Sequence, residues 1–118
     1  MGLDMYLHKL PQGDRDQEQR VMYWRKANAI HRWFTQDTKE DNCVDFPKTI
    51  EDIQRLWRLC VNSIEQKEPL LETGSGFFWG NTDYDSYYWE DLQDTADAME
   101  AIISEHQEGD TYEYMAWY

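Results

Sequence analysis

Apolar and polar side chains alternate near both ends of the chain, which is the pattern of a β-strand with one buried face. The first alternating segment covers residues 3–8, and Pro11 and Gly13 then end the strand. The second segment covers residues 111–118. The two predicted strands can pair with each other and tie the ends of the chain together. One face of the two strands consists of Leu3, Met5, Leu7, Tyr112, Tyr114, Ala116 and Tyr118.

Two central segments show the apolar spacing of amphipathic helices. The first covers residues 21 to about 36, and residues 36–47 form a polar connection. The second begins after Thr49, whose side chain can cap the helix, and ends near Lys67. The predicted apolar stripes are Tyr23, Ala27, Ile30 and Phe34 in the first helix, and Ile50, Ile53, Leu56, Trp57, Cys60, Val61 and Ile64 in the second.

A third helix is predicted between a cap at Asp85 or Ser86 and a stop at Gly109. Before it, residues 77–79 form an aromatic string between glycines, which indicates a short buried strand or an aromatic loop. The chain is therefore predicted to be one α+β domain, residues 1–118, with about three helices packed on a small, mainly antiparallel sheet formed by the terminal strands. The apolar stripe of the third helix is Trp89, Leu92, Ala96, Met99, Ile102 and Ile103.

The net negative charge lies in the second half of the chain, because the first half has equal numbers of acidic and basic residues. Residues 68–118 contain thirteen carboxylates, eleven aromatic residues and no lysine or arginine, and the whole chain has a net charge of −13. Disordered acidic segments are poor in aromatic residues, so this half is predicted to fold. Nucleic acids and anionic membranes are bound through lysine and arginine, so both are disfavoured as partners. The charge favours a basic protein surface as partner, or serves solubility alone.

Several functional classes leave no signature in the sequence. No run of about 20 apolar residues could span a membrane, and no signal peptide is visible, so a cytoplasmic protein is predicted. Cys43 and Cys60 fit no redox or zinc spacing and are predicted to be free thiols. Residues 81–86 resemble a calcium loop but lack its glycine and its bidentate glutamate. We therefore predict no enzyme, no metal and no cofactor.

The third helix carries a row of carboxylates opposite its apolar stripe. Carboxylates one helical turn apart stand about 5–6 Å from each other, and phosphates along a nucleic-acid strand recur at a comparable pitch, about 3.4 Å of axial rise apart on a wider spiral. A rigid array of this kind can occupy a nucleic-acid groove on a protein. The alternative is a helix face that is merely solvated. The row consists of Glu90, Asp94, Asp97, Glu105 and Glu108, flanked by Asp91 and Glu100.

Arg25, Asn28 and His31 follow one another at three-residue steps in the first predicted helix. Together they could form a polar patch that binds an anion or a nucleotide. The alternative for His31 is a structural role beside the apolar face.

Two tryptophan-rich blocks carry a family resemblance. They are residues 23–34 (YWRKANAIHRWF) and residues 76–92, which begin with GFFWGNTDYD. With the opening MGLDMYL, they resemble small uncharacterised proteins found in phages and bacterial mobile elements. The resemblance implies a phage context and the rough fold, and it implies no activity. If the blocks mark a shared site, its candidate residues are Arg25, Asn28, His31, Asp83, Tyr84, Asp85 and Tyr88.

The leading functional hypothesis is a phage-encoded interaction protein of the anti-CRISPR or anti-restriction type. It would block a basic, nucleic-acid-binding surface of a host protein without being an enzyme. The runner-up is a small-molecule or nucleotide binder that uses the Arg25 patch and residues 84–88. A third possibility is a dimer that buries the terminal aromatic strand. The expected contact residues of the leading hypothesis are Glu90, Asp91, Asp94, Asp97 and Glu100, with Trp117 and Tyr118 as aromatic anchors.

Overall fold

The computed structural model describes residues 2–74 and 83–118. Within them, three helices pack on a four-stranded antiparallel sheet, which confirms the predicted α+β class. The aromatic string at residues 77–79 lies outside the described residues. The strands are β1 (Asp4–Leu10), β2 (Gln19–Arg25), β3 (Phe46–Lys48) and β4 (Thr111–Trp117), the helices are α1 (Asn28–Thr35), α2 (Ile50–Gln66) and α3 (Ser86–Glu105), and two 3₁₀ turns, Pro11–Gly13 and Arg15–Gln17, join β1 to β2.

The terminal strands β1 and β4 lie at the centre of the sheet, whose order is β2-β1-β4-β3. They pair antiparallel, with Met5 opposite Ala116 and Leu7 opposite Tyr114. The predicted pairing of the chain ends is therefore confirmed. The short strand β3 was predicted as part of a polar connection, and it adds to the free edge of β4.

All three helices cover the same face of the sheet. Tyr112 and Tyr114 of β4 are fully buried there, and the ring of Phe34 in α1 stacks on Tyr114 at a centroid distance of 4.2 Å. The predicted alternation of both strands is confirmed, because their other side chains point away from the helices. We call this second surface the open face of the sheet; it carries Asp4, Tyr6, His8, Tyr23, Glu113, Met115 and Trp117.

The predicted first helix, residues 21–36, is half wrong. Its first part is strand β2, in which Trp24 points into the core opposite Met5 while Tyr23 lies on the open face, 43% exposed. Lys26 then adopts a left-handed conformation with φ 56°, and α1 begins at Asn28. Aromatic and β-branched residues suit a half-buried strand, and here they override a helical spacing that placed Tyr23 with Ala27 by coincidence.

The second and third helices agree with their predictions, except at the end of the third. Thr49 and Asp52 form a reciprocal capping box at the start of α2, and Asp85 caps α3. Every residue of the two predicted apolar stripes is either buried in the core or half-buried against its edge. The buried members are Ile53, Leu56, Cys60, Leu92, Ala96, Met99 and Ile102, and the half-buried ones are Ile50, Trp57, Val61, Ile64, Trp89 and Ile103. α3 ends at Glu105 rather than at Gly109, which lies in the following turn with φ 96°. In the described residues, no helix is both long and apolar enough to cross a membrane.

Candidate functional site

Four carboxylates of α3 form one solvent-exposed strip, which we call the acidic face: Glu90, Asp94, Asp97 and Glu100. Leu92, Ala96 and Met99 bury the opposite side of the helix and so fix the direction of this strip. Gln93 donates a hydrogen bond to Asp97 (Nε2 to Oδ1, 3.0 Å). Among residues 2–74 and 83–118, no lysine or arginine forms an ion pair with the four carboxylates. The strip is a rigid negative surface without ion pairs, and Lys67 at the end of α2 lines a cavity together with Glu90.

Three further carboxylates of the predicted row lie elsewhere. Asp91 is half-buried on the flank of α3 that faces a cavity beside β2. Burial, and then the charges of Asp94, Glu90 and Asp85, raise the pKa of Asp91 to about 7. Glu105 is exposed at the last position of α3, while Glu108 lies in the turn beyond it, where its carbonyl accepts a hydrogen bond from Gln12.

The two predicted aromatic anchors are not next to the acidic face. Trp117 is 61% exposed, but it lies on the open face of the sheet, on the other side of the molecule from the outer surface of α3. Tyr118 is half-buried: its hydroxyl donates to the Asp41 carboxylate and its backbone N–H donates to Asn42 (2.9 Å). The structure therefore separates these residues from α3, and Tyr118 has a local structural role.

The second predicted site is assembled in part. Arg25 and Asn28, from the end of β2 and the start of α1, line a cavity of about 280 Å³ together with Asp83, Asp85 and Tyr88 at the start of α3. Asp91 lines the same cavity and was not predicted for this site. The helix spacing placed Asp91 at a flank of the acidic row, but it did not indicate which flank faces the sheet.

Several residues of this cavity also hold the fold together. The Asp85 carboxylate accepts the backbone N–H groups of Tyr87 and Tyr88, and the Asn28 side chain accepts the N–H of Gly74 (3.2 Å). The Tyr88 hydroxyl donates to the carbonyl of Leu71 (2.5 Å), and burial raises its pKa.

Tyr84 stands beside the cavity rather than in its lining. Its ring packs edge-to-face on Tyr88, with the centroids 4.9 Å apart. Its hydroxyl accepts the backbone N–H of Thr73 (3.3 Å). Tyr84 therefore supports the wall of the cavity from outside.

His31 does not reach the cavity, although it was predicted with Arg25 and Asn28. It is fully buried between Tyr114 and Asp41, with Nδ1 2.6 Å from the Tyr114 hydroxyl and Nε2 2.8 Å from Asp41 Oδ2. Burial lowers the pKa of His31, and Asp41 opposes this change. Because burial also keeps Tyr114 protonated, the tyrosine donates to Nδ1 and His31 donates from Nε2. His31 therefore has the structural role that was the alternative to ligand binding.

The candidate metal ligands and the cysteines in the described part of the chain do not form a cluster. No three His, Cys, Asp or Glu residues in that part come close enough to hold a metal ion. Cys43 and Cys60 are both free thiols, and burial in α2 raises the pKa of Cys60 to about 12. Such a thiol is inert at neutral pH.

Comparison with known proteins identifies no relative: no family model, no curated protein and no solved structure matches this chain.

Proposed function

We propose that this chain is a phage-encoded, non-enzymatic interaction protein that binds and blocks a basic, nucleic-acid-binding surface of a host defence protein. It would act in the host cytoplasm as anti-CRISPR or anti-restriction proteins do. The observation that carries the proposal is the acidic face of α3, four exposed carboxylates that form no ion pair with a lysine or arginine of the described residues. The phage context rests on the resemblance of the tryptophan-rich blocks.

The geometry of the acidic face suits a surface that normally binds phosphates. Neighbouring carboxylates on one helix face stand about 5–6 Å apart. The helix keeps them in this arrangement because its other side is anchored in the core, so little entropy is lost when a partner binds. Unscreened negative charge of this kind raises the association rate with a basic partner and selects against acidic ones.

A solubility role alone explains the acidic face less well. Like charges one helical turn apart destabilise a helix by a few tenths of a kcal/mol for each pair. Solubility needs charge anywhere on the surface, whereas here the charge is concentrated on one helix. The first half of the chain, by contrast, pairs its charges, for example Asp52 with Arg55 and Arg32 with Asp37.

The proposal is tested by binding assays with purified CRISPR effectors and restriction nucleases at low and high salt. We expect binding that weakens with salt and that is abolished when Glu90, Asp94 and Asp97 are all changed to lysine. A matched control changes three other exposed carboxylates, Asp16, Glu40 and Asp45, to lysine, which alters the net charge equally. The proposal fails if the α3 variant still binds, or if the control variant loses as much affinity.

The cavity at Arg25 favours a second candidate function, the binding of a small molecule or nucleotide. It gathers a guanidinium, an amide, a phenol and carboxylates around about 280 Å³, which is enough for a small polar ligand. A metabolite and nucleotide panel should then raise the melting temperature of the protein. The Arg25→Ala variant should lose this shift. If no compound shifts the melting temperature, or if the shift survives in Arg25→Ala, this candidate is rejected.

A further inference from the structure

The outer surface between α2 and α3 is apolar along its middle. Five residues there are half-buried and pack against the core from outside, and we call them the seam: Trp57, Val61 and Ile64 of α2, with Trp89 and Ile103 of α3. Two open cavities lie along it. One, of about 600 Å³, is lined by Ile64 and Trp89, and the other, of about 280 Å³, by Trp57 and Ile103.

The two cavities lie at different heights along an antiparallel helix pair. The end of α2, at Ile64, adjoins the start of α3, at Trp89, while Trp57 adjoins Ile103 near the end of α3. At 1.5 Å per residue, the separation is about 10 Å measured on α2 and about 21 Å measured on α3. Apolar side chains two to four turns apart on another helix match this separation.

The acidic face forms one edge of the seam. Glu90 lines the larger cavity, together with Lys67 from the end of α2, and Glu100 lines the smaller one, so both cavities have a carboxylate in the wall that α3 forms. On the α2 side the exposed residues are mixed in charge, Arg58 and Glu65 among them. An apolar groove with one strongly negative edge complements a helix that is apolar on one side and basic on the next.

We propose that the seam is a docking groove for a basic amphipathic helix of the partner protein. The inference rests on the proposed function and names the form of the partner surface. Two apolar side chains of the incoming helix fill the cavities, and its lysines and arginines face Glu90, Asp97 and Glu100. The charges set orientation and association rate, while the apolar anchors supply most of the affinity.

A second copy of this chain is a poorer occupant of the same groove. Each copy brings its own acidic face and a net charge of −13 to the contact, and Arg58 of α2 and Lys67 at its end are too few to compensate the carboxylates of both copies. Like charges placed across an interface cost several kcal/mol. The charge on the edge of the seam therefore selects a basic helix rather than self-association.

The test uses two synthetic peptides of identical composition, about 18 leucine and lysine residues each. One has its leucines on a single helical face, and the other has the same residues scrambled. Fluorescence anisotropy should show at least tenfold tighter binding of the amphipathic peptide. Gln93→Lys adds a second cation, besides Lys67, to the wall of the larger cavity and should abolish this preference. Ala101→Lys adds the same charge to α3 outside both cavity linings, and it should weaken both peptides equally.

The tryptophan indole signals locate the peptide directly. In ¹⁵N-labelled protein, the amphipathic peptide should shift the indole N–H signals of Trp57 and Trp89 and leave that of Trp117, on the open face, unchanged. Equal affinity for both peptides, lost when Glu90, Asp94 and Asp97 are changed to lysine, would overturn the groove and leave the proposed function standing. Absence of binding to either peptide at low salt would overturn both.

Discussion

His31 is held by buried hydrogen bonds rather than poised for a ligand. Its two ring nitrogens reach Tyr114 and Asp41, and Asp41 also accepts from Tyr118, so a chain of four polar side chains joins α1, the loop after it and β4. The spacing of the sequence could only place His31 near Arg25 and Asn28. Its true partners are 10 and 83 residues away, and no local pattern indicates contacts over that distance.

The His31→Ala variant should lose about 3 kcal/mol or more of unfolding free energy, because it leaves a buried carboxylate and a buried hydroxyl without their partner. His106 offers a matched control, since it makes one hydrogen bond, to Tyr112, at a part-buried site (2.7 Å). His106→Ala should cost only about 1 kcal/mol. Urea denaturation at neutral pH measures both values. Equal losses of unfolding free energy in the two variants would show that the buried network stabilises the protein no more than the single hydrogen bond of His106 does.

The raised pKa of Asp91 predicts how the stability of the protein changes with pH. Because its pKa in the folded protein is about 7, above the ordinary value of 3.8, the folded state holds this proton more tightly than the unfolded state. Its contribution to stability is therefore present at low pH and lost as the pH rises towards 7. Asp91→Asn, neutral throughout, should be more stable than the parent protein at pH 8, by on the order of 1–2 kcal/mol after discounting for solvent screening.

Thermal melts of the two proteins at pH 4 and pH 8 check this. The advantage of Asp91→Asn should disappear at pH 4. The buried His31 has the opposite dependence: its pKa is lowered, so the protein loses stability as the pH falls below 6.5. Both proteins contain His31, so its effect cancels in the difference. An advantage that does not change with pH would exclude a raised pKa of Asp91.

The helices α2 and α3 could be predicted from local signals, whereas β2 could not. Each of the two helices combines a long apolar stripe with a side-chain cap at its start, so two independent signals agree. Residues 21–36 contain a strand and a helix without any glycine or proline between them. The break is at Lys26, in a left-handed conformation that non-glycine residues rarely adopt. The pairing of β2 with β1 stabilises this break: the N–H of Lys26 donates to the carbonyl of Leu3 (2.8 Å), and a helical pattern cannot indicate a contact at that distance along the chain.

The end of α2 contains a second left-handed residue that a substitution can relieve. Lys67 has φ 56° and follows the last helical residue, and the N–H of Glu68 reaches back to the carbonyl of Ser63. Glycine has no steric cost in this conformation, so Lys67→Gly should stabilise the protein by about 0.5–1 kcal/mol. Gln66→Gly, one residue earlier inside the helix, should destabilise it by about 1 kcal/mol. We expect the two substitutions to shift the denaturation midpoint in opposite directions. Shifts in the same direction would contradict the prediction.

The neutral first half and the acidic second half of the chain contribute strands to one sheet, so they do not form separate units. β4, from the acidic half, is an inner strand between β1 and β3, and its Tyr112 and Tyr114 belong to the core. A protein truncated after Gly109 would lack β4 and would therefore not fold. Such a truncation cannot reveal whether the terminal strand is buried in a dimer. Pattern analysis predicted that the ends pair, but strand order depends on contacts between distant residues, and β3 has too few residues to show a period.

The charge distribution of the whole molecule gives the last prediction. A variant that neutralises the acidic face, with Glu90 and Glu100 changed to Gln and Asp94 and Asp97 changed to Asn, removes repulsion between carboxylates one turn apart. Each such pair costs about 0.2–0.5 kcal/mol, so the variant should gain roughly 1 kcal/mol of unfolding free energy at low ionic strength. Screening should remove most of this gain at about 1 M salt.

Asp52→Asn is the control for this variant, because Asp52 is a carboxylate with partners: it caps α2 and pairs with Arg55. Its neutralisation should destabilise the protein by about 1 kcal/mol. Urea midpoints at both salt concentrations distinguish the two cases. If neutralising the acidic face also destabilises the protein, these carboxylates support the fold. If it stabilises the protein and abolishes partner binding, the carboxylates are kept at a cost to stability because the partner requires them.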